Sequence, residues 1–261
     1  MPNLTITLIQ TDLVWEEIDA NLTMLTEKIK AVDAPTDLIV LPEMFSTGFS
    51  LSARQLAETM SGKAVSWLRS TALDQGAAIT GSLMIKEDGN YYNRLVYSSA
   101  DGDLTHYDKK HLFRYAEEEK VFTPGEDHGD FLIKGWRVRP FICYDLRFPI
   151  WCRNLGPNYD LALYVANWPA ARATHWKALL QARAIENQTY VVGVNRVGKD
   201  GNGLAYKGDS MVFAPQGDIL ADLGEEEKTH TMTLNFDALQ NYRDTFPAWM
   251  DADQDLMMSP P

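Results

Sequence analysis

The sequence predicts a single layered α/β domain in which two β-sheets pack together and helices cover them on the outside. Apolar strand patterns alternate with amphipathic helix patterns along all 261 residues. Residues 38–41 are continuously apolar, as in a parallel strand that is covered on both faces. Other strand patterns are joined by tight turns, as in antiparallel hairpins. No low-complexity linker or charged block divides the chain, so we predict one domain over residues 1–261.

The first half begins with an alternating strand and continues with helices and strands in turn. Pro42 ends the apolar second strand, and Gly76 is a suitable C-cap for the second helix. The turn Asp-Gly-Asn at 88–90 joins two strand patterns into a hairpin. The predicted elements are strand 4–10, helix 18–32, strand 37–43, helix 64–76 and strands 77–87 and 91–99.

The second half repeats the alternation. Residues 215–217, Pro-Gln-Gly, predict the turn of a second hairpin. The predicted elements are strand 136–145, strand 160–168, helix 174–188, strand 189–197, hairpin 210–224 and strand 229–236.

Charge and composition exclude several classes of partner. A formal net charge of −12 disfavours nucleic acid and anionic membranes, which carry the same sign. The two cysteines form neither a disulfide framework nor a zinc pattern, and they suit a reducing compartment. The N-terminal residues lack the basic segment of a signal peptide, and no apolar run reaches ~18 residues. We therefore expect a cytoplasmic protein without a membrane segment.

Cys143 stands where a predicted strand ends, in the run FICYDLRFP at 141–149. Several hydrolases present their nucleophile on a tight turn after a strand. The alternative is a small buried hydrophobic residue, which is the usual fate of a free cysteine. Three other features bear on this choice: Glu43 at the C-terminal end of the strand 37–43, the cations Lys109 and Lys110, and the acidic loop 115–125. Each has an ordinary explanation as a cap, a solvated patch or a surface loop.

These residue types together suffice for acyl transfer. A thiol attacks as the thiolate, so it needs a base or a positive field nearby. A buried carboxylate serves as a base, and an ammonium group stabilises the oxyanion that forms at the attacked carbonyl. No histidine is needed for this chemistry.

The same residues, in the same order, resemble the Glu–Lys–Cys triad of the nitrilase superfamily, the carbon–nitrogen hydrolases. Glu43 lies in LPEMF, Lys109 in YDKKHLF and Cys143 in CYDLRFP. The resemblance extends over nearly the whole chain, including Asn21, EKVFTPG, HWKALLQARAIENQTYVVGVNRVG and GDSMVFAPQGDIL. CYDLRFP is similar to the branch that contains the omega-amidases. The resemblance implies a four-layer α-β-β-α sandwich that dimerises into eight layers.

The resemblance also implies a fourth carboxylate, best matched by Glu118, with Glu117 and Glu119 as neighbouring alternatives. The spacing Lys-x-His-Leu-Phe favours Lys109 over Lys110 as the triad lysine. The expected enzyme is an amidase without metal or cofactor. Glu43 takes the thiol proton, Cys143 forms a thioester, and Glu118 helps to position water. Lys109 and the backbone N–H of Tyr144 hold the oxyanion.

The omega-amidase resemblance implies short dicarboxylate monoamides as substrates, chiefly 2-oxoglutaramate and 2-oxosuccinamate. Two alternatives keep the chemistry and change the substrate, to an N-carbamoyl compound or a nitrile. A third is a non-catalytic binding protein on the same fold, although such a protein has no need of the triad.

An anionic substrate needs a local cation in a protein of negative net charge, preferably a bidentate arginine. Arg147 is the first candidate, because a helical turn after Cys143 would place both on one face. Arg172 is the second, and Trp168 is expected to line the same pocket. The alternative for Arg147 is a structural salt bridge with Asp145 or a neighbouring carboxylate.

Several other polar or reactive residues are expected to be structural. Cys152 is predicted to lie in the core, on a short helix after Cys143. His111 and His175 are expected to orient loops or cap helices. Arg183 and Glu186 are spaced as an i,i+3 ion pair on the long helix.

The C-terminal stretch, about 237–261, carries much apolar surface for a tail. Such a tail usually packs against something, and we predict a partner subunit in a homodimer. The alternative is packing onto its own domain. The apolar side chains concerned are Phe246, Trp249, Met250, Leu256 and Met257.

Overall fold

The computed structural model describes residues 1–253, and these form two six-stranded mixed sheets. In the first sheet the strands lie in the order β14, β1, β2, β3, β4, β5. β1, β2 and β3 run parallel, whereas the other neighbours pair antiparallel. The strands are β1 (Leu4–Gln10), β2 (Leu38–Val40), β3 (Ala78–Glu87), β4 (Asn90–Ser98), β5 (Leu104–Asp108) and β14 (Lys228–Leu234).

The second sheet has the order β13, β12, β9, β8, β7, β6, again with three parallel strands, β7, β8 and β9, in its interior. β10 (Val197–Lys199) and β11 (Ala205–Lys207) form a separate two-stranded hairpin. The strands of the second sheet are β6 (Phe131–Ile133), β7 (Trp136–Ile142), β8 (Leu161–Ala166), β9 (Tyr190–Asn195), β12 (Met211–Phe213) and β13 (Ile219–Asp222).

Within residues 1–253, five α-helices accompany the sheets. They are α1 (Ile18–Lys30), α2 (Ala53–Leu56), α3 (Lys63–Gln75), α4 (Ala173–Asn187) and α5 (Phe236–Thr245). Gly76 caps α3 in the left-handed conformation, with φ 59°, as predicted. No helix within residues 1–253 is long and apolar enough to cross a bilayer.

Three apolar clusters show the layer order. The largest joins the facing sides of the two sheets, with Leu8 and Leu95 from one sheet and Leu163 and Val192 from the other. A second cluster packs α1 and α3 onto the outer face of the first sheet. A third packs α4 onto the outer face of the second sheet. The predicted four-layer α-β-β-α sandwich is therefore confirmed.

The predicted strand 136–145 is too long. β7 stops at Ile142, and residues 143–147 form a turn of 3₁₀ helix. The sequence pattern extends the strand because Cys143 and Tyr144 are compatible with β structure, whereas the buried carboxylate of Asp145 stabilises the turn. Cys152 lies in a turn rather than on a helix, although it is fully buried as predicted.

The C-terminal stretch begins with α5, which packs onto its own domain. Leu239 of α5 is buried in the cluster between the sheets, and Arg243 pairs with the buried Asp160. Further along, the side chains of Phe246 and Met250 are 58% and 62% exposed. Leu256 and Met257 lie outside the described residues. The dimer interface therefore stays a prediction.

Candidate active site

The carboxyl ends of β2, β5, β7 and β8 meet at one edge of the sandwich, and each carries a predicted or newly found site residue. Glu43 follows β2, Lys109 follows β5 directly, Cys143 follows β7 and Asn167 follows β8. Parallel strands in both sheets bring these ends to a common side, which is where α/β folds place functional groups.

Lys109 is the centre of a buried charged cluster. Its Nζ lies 2.9 Å from Glu43 Oε1 and 3.0 Å from Glu118 Oε2. All three side chains are at most 1% exposed. Two carboxylates around one ammonium give the cluster a net negative charge when all three groups are ionised. Buried charges of this kind persist only when they are paired and hydrogen-bonded, as they are here.

Glu118, rather than its neighbours, reaches this cluster. A 3₁₀ turn over Glu118–Lys120 points its carboxylate inward, where it also accepts a 2.6 Å hydrogen bond from the Phe113 backbone N–H. Glu117 pairs instead with Lys120 at the surface. Glu119 lies 4.0 Å from Arg114.

Lys109 is likewise the lysine of the cluster, and Lys110 is not. The Lys110 ammonium lies 5.2 Å from the centre of the Trp151 ring. At the two positions where neighbouring residues were alternatives, the structure therefore brings Lys109 and Glu118 into the cluster, as the spacing favours.

The environment raises the pKa of both Lys109 and Glu118. Burial by itself opposes the ammonium of Lys109, but the charges of Glu118 and Glu43 outweigh it and raise the Lys109 pKa. For Glu118, burial raises the pKa, and the charge of Lys109 opposes that shift without cancelling it. Lys109 is thus a fixed cation, whereas Glu118 binds a proton more readily than an exposed glutamate does.

Cys143 lies on a sharp turn between β7 and the 3₁₀ segment. Its φ is +44°, in the left-handed region that non-glycine residues rarely adopt. Asp145 holds this turn. One carboxylate oxygen accepts hydrogen bonds from the Ile142 N–H and the Tyr107 hydroxyl, and the other accepts from the N–H and Nδ1 of His111.

The Cys143 thiol is protonated in the resting site. Burial raises its pKa well above the ordinary value, and the negative charge of Glu43 raises it further, while Lys109 acts in the opposite direction. The arrangement therefore pairs a neutral thiol with an adjacent carboxylate that can accept its proton.

Two asparagines that sequence reasoning missed contact the cluster. The Asn93 side-chain amide donates to Glu43 Oε1 and to Glu118 Oε1, at 2.8 and 3.2 Å. Asn167 donates its backbone N–H to Glu43 Oε2 at 2.7 Å and its side-chain amide to the Glu43 carbonyl at 2.6 Å. Asn93, Leu95 and Tyr97 lie two residues apart along β4, so they share the face that carries the core between the sheets. A polar residue on that apolar face is the signal that could have identified it.

A cavity of about 570 Å³ opens onto this edge, and Cys143 and Lys109 line it. The predicted substrate-binding residues Arg147, Arg172 and Trp168 line it as well. The Arg147 guanidinium lies 4.8 Å from the centre of the Trp168 ring. The remaining wall mixes aromatic and polar side chains, including the carboxylates of Glu16 and Asp200. Its aromatic members are Trp15, Phe49, Phe113, Tyr115, Tyr144 and Tyr206.

Neither arginine has a carboxylate within ion-pair distance among residues 1–253. Arg147 instead donates to Nδ1 of His175, at 3.0 Å. Arg172 lies over the rings of Phe113 and Tyr115. The alternative salt bridge from Arg147 to Asp145 does not form, because Asp145 is occupied by other donors.

His111 and Arg183, which were expected to be structural, bond to protein groups outside the charged cluster. His111 donates to Asp145 and stacks on Phe148, with ring centroids 3.7 Å apart. Arg183 pairs with Glu186 at 2.7 Å and also donates to the Leu146 carbonyl. Within residues 1–253, no group of three or more His, Cys, Asp or Glu side chains is placed to hold a metal ion.

This geometry can carry out nucleophilic acyl transfer. It combines a thiol on a strained turn, an adjacent carboxylate, a fixed cation and a second carboxylate of raised pKa, and the thiol and the cation line one cavity.

Residues 5–244 match the family model for carbon–nitrogen hydrolases. The chain belongs to this family. The predicted family is thus confirmed, and so is the prediction of an enzyme of the carbon–nitrogen hydrolase class.

The chain is similar over nearly its full length to amidases of known name. It is 46% identical to the omega-amidase YafV of Escherichia coli K12, over 97% of this chain and 98% of that protein. It is 32% identical to a 2-oxoglutaramate amidase of Bacillus subtilis strain 168, with the same two coverages.

Solved structures agree with the fold. A carbon–nitrogen hydrolase superfamily protein from Xanthomonas campestris, with an arsenic adduct in its active site, superposes with a TM-score of 0.95 and 42% identity, covering 97% of this chain and 98% of that one. An amidase from Nesterenkonia sp. AN1 superposes with a TM-score of 0.82 and 27% identity, covering 94% and 98%. That structure is of a mutant of the amidase, and in it acrylamide has added to the active-site cysteine.

Proposed function

We propose that this protein is an omega-amidase that hydrolyses the terminal amide of short dicarboxylate monoamides. The substrates would be 2-oxoglutaramate or 2-oxosuccinamate, and the products the 2-oxo acid and ammonia. The single observation that carries the proposal is the cavity itself, which is lined both by Cys143 and Lys109 and by two arginines that have no carboxylate partner among residues 1–253. The full-length similarity to an omega-amidase and to a 2-oxoglutaramate amidase supports it.

In the first half of the reaction, Glu43 takes the proton of the Cys143 thiol as the sulfur attacks the amide carbonyl. The oxyanion accepts hydrogen bonds from the Lys109 ammonium and from the backbone N–H of Tyr144. Tyr144 is suited to this role because the first N–H groups of a helical turn have no partner within the turn. Glu43 then passes its proton to the departing nitrogen, so ammonia leaves and a thioester remains.

In the second half, water attacks the thioester. Glu43 is again a carboxylate and accepts the proton of the water, while Glu118 helps to position that water. The tetrahedral intermediate collapses, the sulfur leaves, and the thiol regains its proton from Glu43. Lys109 stays charged throughout, because its raised pKa keeps it protonated.

The free carboxylate of the substrate would be bound by Arg147, with Arg172 as the second cation and Trp168 as part of the wall. Arg147 is favoured because it lies on the turn that carries Cys143 and its guanidinium lies over the Trp168 ring, 4.8 Å from the ring centre. A neutral amide would leave this arginine without a partner, so the anionic amide gains the larger binding energy.

We further propose that the enzyme acts as a cytoplasmic homodimer. Both cysteines, Cys143 and Cys152, are free thiols, which suits a reducing compartment. The exposed apolar side chains Phe246 and Met250 suit a contact with a second subunit.

The proposed substrate class is tested by measuring kcat/KM on the wild-type protein for 2-oxoglutaramate, succinamate, propionamide and glutamine. We expect 2-oxoglutaramate to exceed propionamide by roughly 30-fold or more, the contribution of a charge pair of about 2 kcal/mol. Equal values for the two amides would contradict the proposal. Carbon dioxide release from an N-carbamoyl compound at a higher rate would favour the carbamoylase alternative.

Turnover of none of these amides, together with no acyl adduct on Cys143 by mass spectrometry, would favour the non-catalytic binding protein.

A further inference from the structure

Asn93 is the one neutral side chain that contacts both carboxylates of the cluster within residues 1–253. Its amide nitrogen lies 2.8 Å from Glu43 Oε1 and 3.2 Å from Glu118 Oε1. Asn93 is 1% exposed, so water does not compete for these bonds. Its backbone carbonyl also accepts the Lys109 N–H at 3.0 Å. One residue of β4 is therefore bonded to all three charged members of the site.

The orientation of the Asn93 amide is fixed by a chain of hydrogen bonds. The Met44 N–H donates to Ser82 Oγ at 2.9 Å, which leaves the Ser82 hydroxyl proton to donate to Asn93 Oδ1, also at 2.9 Å. With its oxygen held in this way, Asn93 has only N–H groups to present to Glu43 and Glu118. The chain starts one residue after Glu43, so it also ties the turn that bears the base to β3.

We infer that Asn93 is a positioning residue that holds the carboxylates of Glu43 and Glu118 in place and donates hydrogen bonds to both, since only one cation lies between them. Two carboxylates that share a site normally force one of them to take up a proton. A second buried lysine would also offset the repulsion between the carboxylates, but it would compete with Lys109 for the same carboxylate oxygens. An amide donor stabilises the negative charges without adding a positive one. The inference rests on the proposed function, since it assigns Asn93 to the carboxylates used there.

Asn93→Leu tests this, because leucine has a similar volume and no donor. Loss of the donor disfavours the ionised carboxylates, so their pKa rises and the enzyme loses its base at a higher pH. We expect the acidic limb of kcat/KM against pH to move upward by about one to two pH units. At the plateau we expect kcat/KM to fall by roughly 10- to 100-fold, because the carboxylates lose their fixed positions.

Two further variants separate positioning from simple structural support. Ser82→Ala removes the bond that orients the amide and keeps Asn93, so its acidic limb should move in the same direction by a smaller amount. Thr80→Val is the matched control. Thr80 is fully buried on the same strand, and its hydroxyl donates to the Val96 carbonyl, away from the cluster. Its loss should leave the acidic limb in place.

The rate of Cys143 alkylation by iodoacetamide, measured against pH in the same variants, gives a readout that needs no substrate. The thiol proton passes to Glu43 in this reaction as well, so the acidic limb should shift in the same way. Cys143→Ala corrects for any reaction at Cys152. If the wild type fails to hydrolyse 2-oxoglutaramate, the proposed function fails while alkylation still tests Asn93.

An unmoved acidic limb in Asn93→Leu would overturn the inference, as would an equal shift in Thr80→Val. If circular dichroism shows that Asn93→Leu does not fold, Ser82→Ala decides. A limb at the wild-type pH in that variant then overturns the inference, and a limb at higher pH supports it.

Discussion

At the scale of single residues, the charge around Cys143 sets the resting state of the enzyme. Burial and Glu43 raise the pKa of the thiol, whereas Lys109 is too engaged with two carboxylates to reverse the shift. A thiol in this state reacts slowly with oxidants, since the thiolate is the reactive form. The nucleophile is generated only when Glu43 takes the proton, and that step places the proton next to the leaving nitrogen.

The arginines provide a residue-scale prediction about specificity. If Arg147 binds the substrate carboxylate, Arg147→Gln should lower kcat/KM for 2-oxoglutaramate by about 2–4 kcal/mol, or roughly 30- to 900-fold. Propionamide, which has no carboxylate, should be affected far less. Steady-state kinetics on both substrates measures the difference.

Arg172→Gln is the matched variant, because Arg172 lines the same cavity and also lacks an ion pair among the described residues. A larger selective loss in Arg172→Gln would transfer the role to that residue. Equal losses on both substrates in Arg147→Gln would contradict a carboxylate-binding role for Arg147.

At the scale of elements, the turn after β7 is the part of the site most dependent on one buried side chain. Asp145 is fully buried and accepts hydrogen bonds from β7, from Tyr107 of β5 and from His111 of the loop after Lys109. It therefore ties the position of the nucleophile to the segment that carries the cation.

Asp145→Asn keeps the volume but replaces one acceptor oxygen with a donor that faces other donors. We expect this change to lower the free energy of unfolding by at least about 2 kcal/mol and to lower kcat/KM, because the Cys143 turn loses its support. Urea unfolding and steady-state kinetics measure the two effects.

Asp218→Asn makes the same chemical change at an exposed turn, and it should alter stability by less than about 0.5 kcal/mol. Wild-type stability and activity in Asp145→Asn would show that the turn is held by other contacts.

Elements with a clear apolar pattern could be predicted from the sequence, and some of the shortest strands could not. β1, α3, α4 and the β3–β4 hairpin agree with their predicted bounds to within one or two residues. The three-residue strands β6, β10 and β11 are too short to show an alternation, and they form because neighbouring strands offer hydrogen-bond partners.

The residues of the site also divide into those that the sequence indicates and those that only the structure reveals. Glu43, Lys109 and Cys143 stand at strand ends in a recognisable order, so the sequence indicates them. Asn93 and Asn167 act through hydrogen bonds between elements far apart in the chain. Their partners are visible only when β4 and β8 are brought beside the turn that bears Glu43.

At the scale of the whole molecule, the negative net charge and the apolar C-terminal stretch bear on assembly. A net charge of −12 disfavours non-specific association, so a contact between copies has to come from specific apolar surface. Gln188 holds the backbone at Phe246 and Trp249, while the side chains of Phe246 and Met250 remain exposed.

We expect sedimentation equilibrium at micromolar concentration to give twice the mass of the 29.4 kDa chain. Replacing Phe246 and Met250 together by serine should shift the equilibrium toward the monomer, because two apolar side chains leave the interface. The matched control replaces the exposed Leu132 and Ile150, remote in sequence from the C-terminal stretch, by serine. A wild-type monomer at micromolar concentration would contradict the dimer.

The central claim is that Cys143 is the nucleophile of an amidase, and ammonia release from 2-oxoglutaramate by the wild type and by Cys143→Ala tests it most directly. Cys152→Ala is the control, since that thiol is buried away from the cavity and its loss removes no reacting group. We predict steady ammonia release by the wild type and by Cys152→Ala, and a loss of at least about 10³-fold in Cys143→Ala, the scale seen when a nucleophile is removed. Ammonia release by Cys143→Ala near the wild-type rate would contradict the account.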